Sequence, residues 1–579
     1  MTTDRSLDNL VAFARVFGCV RFFHPSDQAR AIDWDKLAVL GAEATRAASD
    51  DNSLRGILRE LFEPIAPGIQ LADSSEDLPV ITASIPGRQR ISYWQHYGVE
   101  LGPESNVYTS RRLGIDAFKG QNAVPFLGLQ PPPALWAKRL APNLRLRLPI
   151  CVVIDAEGRT LPLASAAFEA LLSRLEGVSL DGMGASDWRL RVAGVTSAWN
   201  VFQHFHPYLD QIGIDWHAVL RSSLERALSD HTAEDYYATL SEMVAKLEDG
   251  HGYVRGRPVS SGALPIRVEV LEEQLVVTGV TGDAPCRKGD VVMRVDGREA
   301  LDLLRERERY ASGSPQFRRA CALSRFDEGR TDSMANVEIR RDGTIERVEL
   351  KRRPAEQAFH FRPIAEPELP SIREVRPGIA YVSLKRATAS ELEKRLPELA
   401  NARGVIFDIR SYGAEVDRAS LIEAHQHIIP HLLDEERSVA PMRVPCVTRP
   451  DREEWVTSEG TWSIAPRRPR LKGRAVFINE PALHSYGETC MAVIAHYRLA
   501  TLVGAATGGC NGNYNMIRLP GGFGISWTGM EVVKHDGTPL YGIGYAPDYA
   551  VDRTIAAARA GRDEYLEKAI EVIEAEITL

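Results

Sequence analysis

The chain reads as a multidomain α/β protein, and three observations predict it. Apolar strand-like runs alternate with helical runs over residues 375–555, a helical hairpin pattern occurs twice at a constant offset of 182 residues, and polar and apolar residues alternate in two further stretches, 75–165 and 262–353. A chain of 579 residues, 44% hydrophobic and 26% charged, has the material for about three to five compact units with cores of their own. The patterns divide it into an N-terminal helical unit (1–74), a β-rich insert (75–180), a second helical unit (185–258), a β segment (262–355) and an α/β core with a C-terminal helix (375–579).

The two helical units carry the repeat. Phe23-His24-Pro25 and Ile32-Asp33-Trp34 return as Phe205-His206-Pro207 and Ile214-Asp215-Trp216. Each copy follows an aromatic-rich helical run, 13–23 or 199–205, and precedes a helix, 36–48 or 218–228. Proline lacks an N–H and clashes with the preceding turn, so it breaks the hairpin, and the tryptophan anchors the next helix. A histidine in such a turn is expected to be packed and hydrogen-bonded, which is the reading for His24 and His206.

Between the copies, residues 90–94 and 144–149 alternate as strands do, with Pro131-Pro132-Pro133 as a loop. This insert is expected to serve as a lid, a substrate-docking element or an oligomerisation element. The second helical unit ends in a helix over 235–247, past which a loop can aim a side chain into a cleft. Strands are expected over 268–280, 290–295 and 336–350. In the core, strands are expected at 379–384, 404–409, 474–479, 500–504 and 523–527, and helices at 389–400, 417–433 and 486–497. Apolar residues at 566, 569, 570, 573 and 577 give the last segment, 563–577, one greasy face to pack on the core.

Two short motifs carry the chemistry: Asp249-Gly250-His251, and Ser485-Tyr486-Gly487-Glu488 after the apolar run 475–478. A serine hydroxyl is a weak nucleophile at neutral pH and needs a base such as imidazole to take its proton and return it to the leaving group. Ser485 at a strand-to-helix junction would place helix N-terminal N–H groups beside an oxyanion. The same Ser-x-x-Glu spacing also fits a capping box. Cys510, in Thr507-Gly508-Gly509-Cys510-Asn511, is read as a packed thiol rather than a rival nucleophile. The glycine-rich run 504–512 lacks the Gly-Lys-Ser/Thr ending of a phosphate loop.

In order along the chain come Asp249-Gly250-His251, a Pro285 to Gly297 hairpin pattern, Gly404-Val405-Ile406-Phe407-Asp408-Ile409-Arg410, Ser485-Tyr486-Gly487-Glu488, and a Gly542-Ile543-Gly544-Tyr545-Ala546-Pro547-Asp548 ending after His535-Asp536-Gly537. With these the sequence resembles the S41 peptidases, the tail-specific (C-terminal processing) and tricorn-like proteases. The resemblance implies a ClpP/crotonase-like catalytic core and a PDZ-like segment. It implies a serine peptidase acting through an acyl-enzyme, with Ser485 as nucleophile, His251 as general base, and the backbone N–H groups of Tyr486 and Gly413 as oxyanion hole. It implies no cofactor and no metal. Two departures stand out: the lysine base of the tail-specific branch falls at Cys510 here, and the glutamate of the tricorn branch falls in Pro539-Leu540-Tyr541-Gly542, which has no carboxylate. The group that orients His251 is therefore open among Asp249, Glu488 and Asp536. Acyl transfer or hydrolysis of a non-peptide amide or ester on the same residues, and a non-catalytic peptide-binding scaffold, are the alternative readings.

The formal net charge of −8 argues against nucleic acid or an anionic membrane as partner, and leaves a peptide or protein substrate. Seven scattered cysteines, with no Cys-x-x-Cys, suggest neither a disulfide framework nor a zinc site. The first ten residues run straight into a helical pattern without an apolar leader, so a cytoplasmic enzyme is expected, provided no signal peptide has been removed. A homo-oligomer that hides its active site would suit a cytoplasmic protease.

Overall fold

A computed structural model describes residues 2–73, 90–99, 107–114, 135–256, 261–354, 369–410 and 424–578. The helical repeat folds as two matching sets of helices around one core. Thr2–Phe23, Trp34–Arg46 and Asp51–Phe62 form the first set, and Trp188–Phe205, Trp216–Ser229 and Ala233–Ala245 the second. The caps repeat as well: Asp33 accepts from the N–H groups of Asp35 and Lys36, and Asp215 from those of His217 and Ala218.

The long helices Thr2–Phe23 and Trp188–Phe205 cross with equivalent residues in contact. Phe23 stacks on Phe205 at 6.1 Å, Phe22 meets His204 edge-on at 6.2 Å, and Asn200 lies over Gly18. Each pair is separated by the repeat offset, so the two units associate about a local pseudo-twofold axis, like the isologous interface of a dimer.

The insert builds two three-stranded antiparallel sheets, one in which Gln70–Ala72 of the first helical unit joins Leu144–Pro149 and Leu135–Ala141, and one of Thr109–Leu113 with Ile91–Tyr97 and Cys151–Val153. Its helix, Ala166–Glu176, is capped by Ser165. His96 and Val447 exchange backbone hydrogen bonds of 2.9 and 2.8 Å, and Lys138 pairs with Asp451 at 2.5 Å, which ties the insert to the core.

Residues 261–354 build a mainly antiparallel sheet in the order Thr344–Lys351, Met334–Arg341, Val291–Val295, Gln274–Val280, Ile266–Leu271. The runs expected as single strands over 268–280 and 336–350 are each hairpins, turning at Glu272-Glu273 and at Asp342-Gly343, where the backbone enters positive φ. Two helices the sequence reading lacked, Ala300–Glu308 and Pro315–Arg325, close this unit. Their arginine-rich, low-hydrophobicity faces hid the few buried positions, Leu303, Leu304, Phe317, Cys321 and Ala322.

The core sheet runs Ile372–Arg376, Ile379–Ser383, Gly404–Asp408, Arg474–Asn479, Thr501–Gly504, Tyr549–Ala550, with every pair after the first parallel. Alternate residues face opposite layers. Val405, Phe407, Phe477 and Leu502 pack under the helices Ala389–Leu399 and Tyr486–His496, while Ile406, Val476, Ile478 and Val503 pack on Ala569, Ile570 and Ile573 of Glu564–Thr578. A parallel sheet covered on both faces explains why these strands read as unbroken apolar runs. Of the helix expected at 417–433, the part from 424 consists of two short pieces, Ala424–His427 and Ile429–Leu432, and the remainder lies outside the described residues, as do Gly413 and the loop 131–133.

The strand expected at 523–527 does not join the core sheet. Gly524–Thr528 instead pairs antiparallel with Tyr514–Arg518 on one side and with Tyr253–Arg255 on the other, setting Ile525 against Val254. This crossing of the core by the second helical unit brings the two chemical motifs together.

Candidate active site

Ser485 ends the loop after strand Arg474–Asn479 and opens helix Tyr486–His496 with φ 55° and ψ −127°. A non-glycine residue in that region carries a strain of about 1–3 kcal/mol, which the surroundings must impose. They do so through a 2.6 Å hydrogen bond from Ser485 N–H to the Cys510 carbonyl, and through Gly487, where a Cβ would fall 2.3 Å from Leu483 Cδ1. The hydroxyl makes no capping bond, so the capping box expected from Ser485 and Glu488 does not form. Glu488 is buried and turned the other way. It accepts from Gly509 N–H (2.8 Å), Cys510 N–H (2.7 Å) and the Thr507 hydroxyl, and clamps the loop that holds Ser485. Burial pushes its pKa up to about 7 against the pull of these donors.

His251 follows the second helical unit, and its backbone is fixed on both sides: its N–H donates to Asp249 Oδ1 (2.9 Å) and its carbonyl accepts from Ser526 Oγ (2.7 Å). Its Nδ1 lies 2.9 Å from Thr528 Oγ1 and 3.2 Å from Cys510 Sγ. The ring packs against His484, the neighbour of Ser485, at 5.8 Å and against Tyr514 at 6.3 Å. Burial lowers its pKa to about 4, opposed by the charge of Asp249 and assisted by His484. Cys510 therefore links the two motifs, its carbonyl holding the serine and its thiol touching the imidazole. Burial, and next the charge of Asp249, push the thiol pKa well up, so it stays protonated beside Nδ1.

Of the three carboxylates open to orient His251, only Asp249 faces it. Asp536 lies in an exposed turn and accepts from Thr538, and Glu488 clamps the loop. Asp249 is fully buried. Its Oδ1 accepts from Thr528 Oγ1 (2.6 Å) and Cys510 Sγ (3.3 Å) besides His251 N–H, and its Oδ2 accepts from Thr528 N–H (2.6 Å) and His206 Nε2 (3.3 Å). Burial opposes ionisation here, but the hydrogen bond from His206, with the interactions of His251 and Thr528, holds the carboxyl well below the usual range. Asp249, His251 and Cys510 present possible metal-ligand atoms within 4.8 Å of one another, and in the structure those atoms hydrogen-bond within the same cluster.

The repeat gives an internal control for His206. At the equivalent positions, His24 points its Nε2 at the Pro67 carbonyl, also at 3.3 Å, and Ile69 stands where the second unit has His251. The packed-histidine reading thus describes His24 fully, whereas His206 also holds a carboxylate of the site. Tyr486 follows Ser485 at the first helical position, and Gly413, the other oxyanion candidate, is among the residues not described.

Residues 378–551 match the family model of peptidase family S41. This segment is similar to peptidase family S41. That likeness points to a serine-type peptidase. No curated protein sequence matches it. Among solved structures, mature CPAF complexed with lactacystin is 14% identical with a TM-score of 0.54, over 67% of this chain and 98% of that one. Mature CPAF (14%, 0.53, over 67% and 97%) and a serine-to-alanine variant of CPAF (14%, 0.55, over 68% and 98%) are similar to it in the same way. At this identity the likeness is one of fold. Among the described residues, no helix is long and apolar enough to cross a membrane.

Sequence reasoning missed Thr528, and no local signal marks it: it is one threonine at the end of an apolar strand, chosen by the pairing of that strand with Tyr253–Arg255.

Proposed function

We propose that the chain hydrolyses peptide bonds through an acyl-enzyme, with Ser485 as nucleophile and His251 as general base. The Ser485 proton passes to His251 Nε2 as Oγ bonds the scissile carbonyl carbon; the same proton goes to the amine as the C–N bond breaks. Water then repeats the step, giving the free acid and the resting enzyme. The observation that carries this reading is the strained, uncapped Ser485 held by the same residue, Cys510, that touches His251. Tyr486 N–H at the helix start is the proposed oxyanion donor, with the glycine-bearing segment around Gly413 as its partner.

The core is read as ClpP/crotonase-like and residues 262–355 as PDZ-like. A groove of about 1220 Å³ supports a peptide-docking role for the latter: it is lined by the edge strand Ile266–Leu271, by Gln316, Arg319 and Leu323 of the facing helix, and by Pro481 and Ala482 of the serine loop. An extended peptide added to that edge would run toward Ser485. The insert abuts the site, since Tyr108 OH bonds the Asn513 carbonyl (2.5 Å) and Asn515 Nδ2 the Val99 carbonyl (2.9 Å), on either side of Tyr514. A substrate-docking role for the insert follows from that position.

Intact-protein mass after fluorophosphonate treatment tests the proposal. One adduct is expected on the native chain and none on Ser485→Ala, with His251→Ala slowed by about 10²-fold or more. An adduct that persists in Ser485→Ala would place the nucleophile elsewhere; none on the native chain would favour the scaffold reading.

A further inference from the structure

We infer that Thr528 and Asp249 are the positioning pair that sets the tautomer of His251, a role that deepens the serine-histidine reading and rests on it. The argument is one of proton counting. Thr528 has a single hydroxyl proton, and Asp249 Oδ1, 2.6 Å away, is an acceptor only when ionised, so the proton points to the carboxylate. The threonine oxygen can then only accept from His251, 2.9 Å away, which puts the ring proton on Nδ1. Nε2 is left with its lone pair, the form a general base needs. When Nε2 takes the serine proton, the imidazolium keeps its Nδ1–H···Oγ1 bond, and the charge of Asp249 acts on it through the hydroxyl.

The same counting fixes Asp249. Tyr208 N–H donates to His206 Nδ1 at 3.3 Å, so His206 carries its proton on Nε2 and donates it to Asp249 Oδ2. The first repeat keeps this arm, with Ser26 N–H on His24 Nδ1, but ends it on the Pro67 carbonyl. Where the second copy has the carboxylate Asp249 and the imidazole His251, the first has Pro67 and Ile69, and it is to the second copy that the strand pairing brings the hydroxyl of Thr528. Cys510 Sγ, at 3.2 Å from Nδ1, is a much weaker acceptor than a hydroxyl and does not replace Thr528.

The test is nitrogen NMR of histidine-labelled full chain, with the His251 signal assigned by its absence in His251→Gln, alongside fluorophosphonate acylation rates. Native protein at neutral pH should show His251 protonated on Nδ1. Thr528→Val, which keeps shape and removes the hydroxyl, should lose that tautomer and slow acylation by about 10²–10⁴-fold. Thr528→Ser should restore both the tautomer and a rate within about tenfold of native. A native His251 protonated on Nε2, or a Thr528→Val variant that keeps both tautomer and rate, would overturn the inference. The native tautomer is read without any substitution, so a variant that misfolds does not leave the question open. An Nδ1–H tautomer in a native chain that takes no adduct would instead retain the positioning pair and reject the peptidase reading of Ser485.

Discussion

Replacing Gly18 by alanine probes the pseudo-twofold contact between the two helical units. A Cβ at residue 18 would lie 1.8 Å from Asn200 Oδ1 and 2.1 Å from its Cγ. Asn200 is buried and cannot swing away without losing its Nδ2 bonds to the Ala14 carbonyl (2.7 Å) and the Thr196 carbonyl (2.9 Å). Overpacking costs about 1–3 kcal/mol, and a displaced buried amide adds about 1–3 kcal/mol. The gain in helix propensity on replacing glycine returns about 1 kcal/mol. The expected net loss is about 3 kcal/mol. In an Asn200→Gly background all three close contacts, to Oδ1, Cγ and the Cβ at 2.8 Å, are removed, so Gly18→Ala should there be neutral or stabilising by about 1 kcal/mol. The assay is the midpoint of the denaturant transition reported by tryptophan emission, since Trp34, Trp199 and Trp216 all lie in these units. Equal destabilisation in both backgrounds, with no coupling between the two positions, would refute the face-to-face packing of the repeat.

Further outcomes follow from the same structure. Burial holds His24 near pKa 3 and His96, His204 and His251 near 4, so each binds fewer protons folded than unfolded. Their contribution to stability is full above the unfolded value near 6.5 and falls as pH drops toward the folded values, by up to about 1.4 kcal/mol per pH unit for each histidine. A urea midpoint that stays flat from pH 7 to pH 5 would contradict this. For the same reason acylation of Ser485 should persist to about pH 5, below the limit set by an ordinary histidine; loss near pH 6.5 would mean a solvated base. Glu488, pushed up to about 7, contributes stability that is full below its unfolded value near 4.5 and is lost as pH rises through 7. Glu488→Gln should remove that alkaline limb and, by offering an NH₂ to the loop N–H groups, slow acylation by about tenfold; an unchanged pH profile would speak against the clamp. Arg410 pairs with Asp408 at 2.6 Å and Asp563 at 2.7 Å, next to the C-terminal helix. Arg410→Met should cost about 2–3 kcal/mol after allowance for the part-exposed Asp563, read as lost amide protection in Glu564–Thr578.

Much of the secondary structure was legible locally, because the physics that forms it is local. The apolar runs 404–409 and 474–479 became central strands, the five apolar positions of 563–577 became a helix packed on the sheet, and Asp33 and Asp215 cap the helices that the repeated motif announces. Errors came where sequence periodicity is silent. Hairpin turns at Glu272-Glu273 and Asp342-Gly343 interrupt continuous alternation, and the helices of 300–325 bury too few apolar residues to show a stripe.

Legible in the letters alone were the residue types of the proposed chemistry, a serine at a strand-to-helix junction and an imidazole after a helix, and their order along the chain. Which carboxylate serves the histidine was decided only in three dimensions. Asp249, Glu488 and Asp536 are equally plausible as letters; one is buried against His251, one clamps a loop and one lies in an exposed turn. Thr528 became part of the site because its strand left the core sheet to pair with the strand that follows His251. Strand pairing joins residues 277 positions apart in the His251–Thr528 bond. No local pattern encodes such a partner, since backbone hydrogen bonding between strands is indifferent to side-chain identity and its choice is made by the packing of the whole chain.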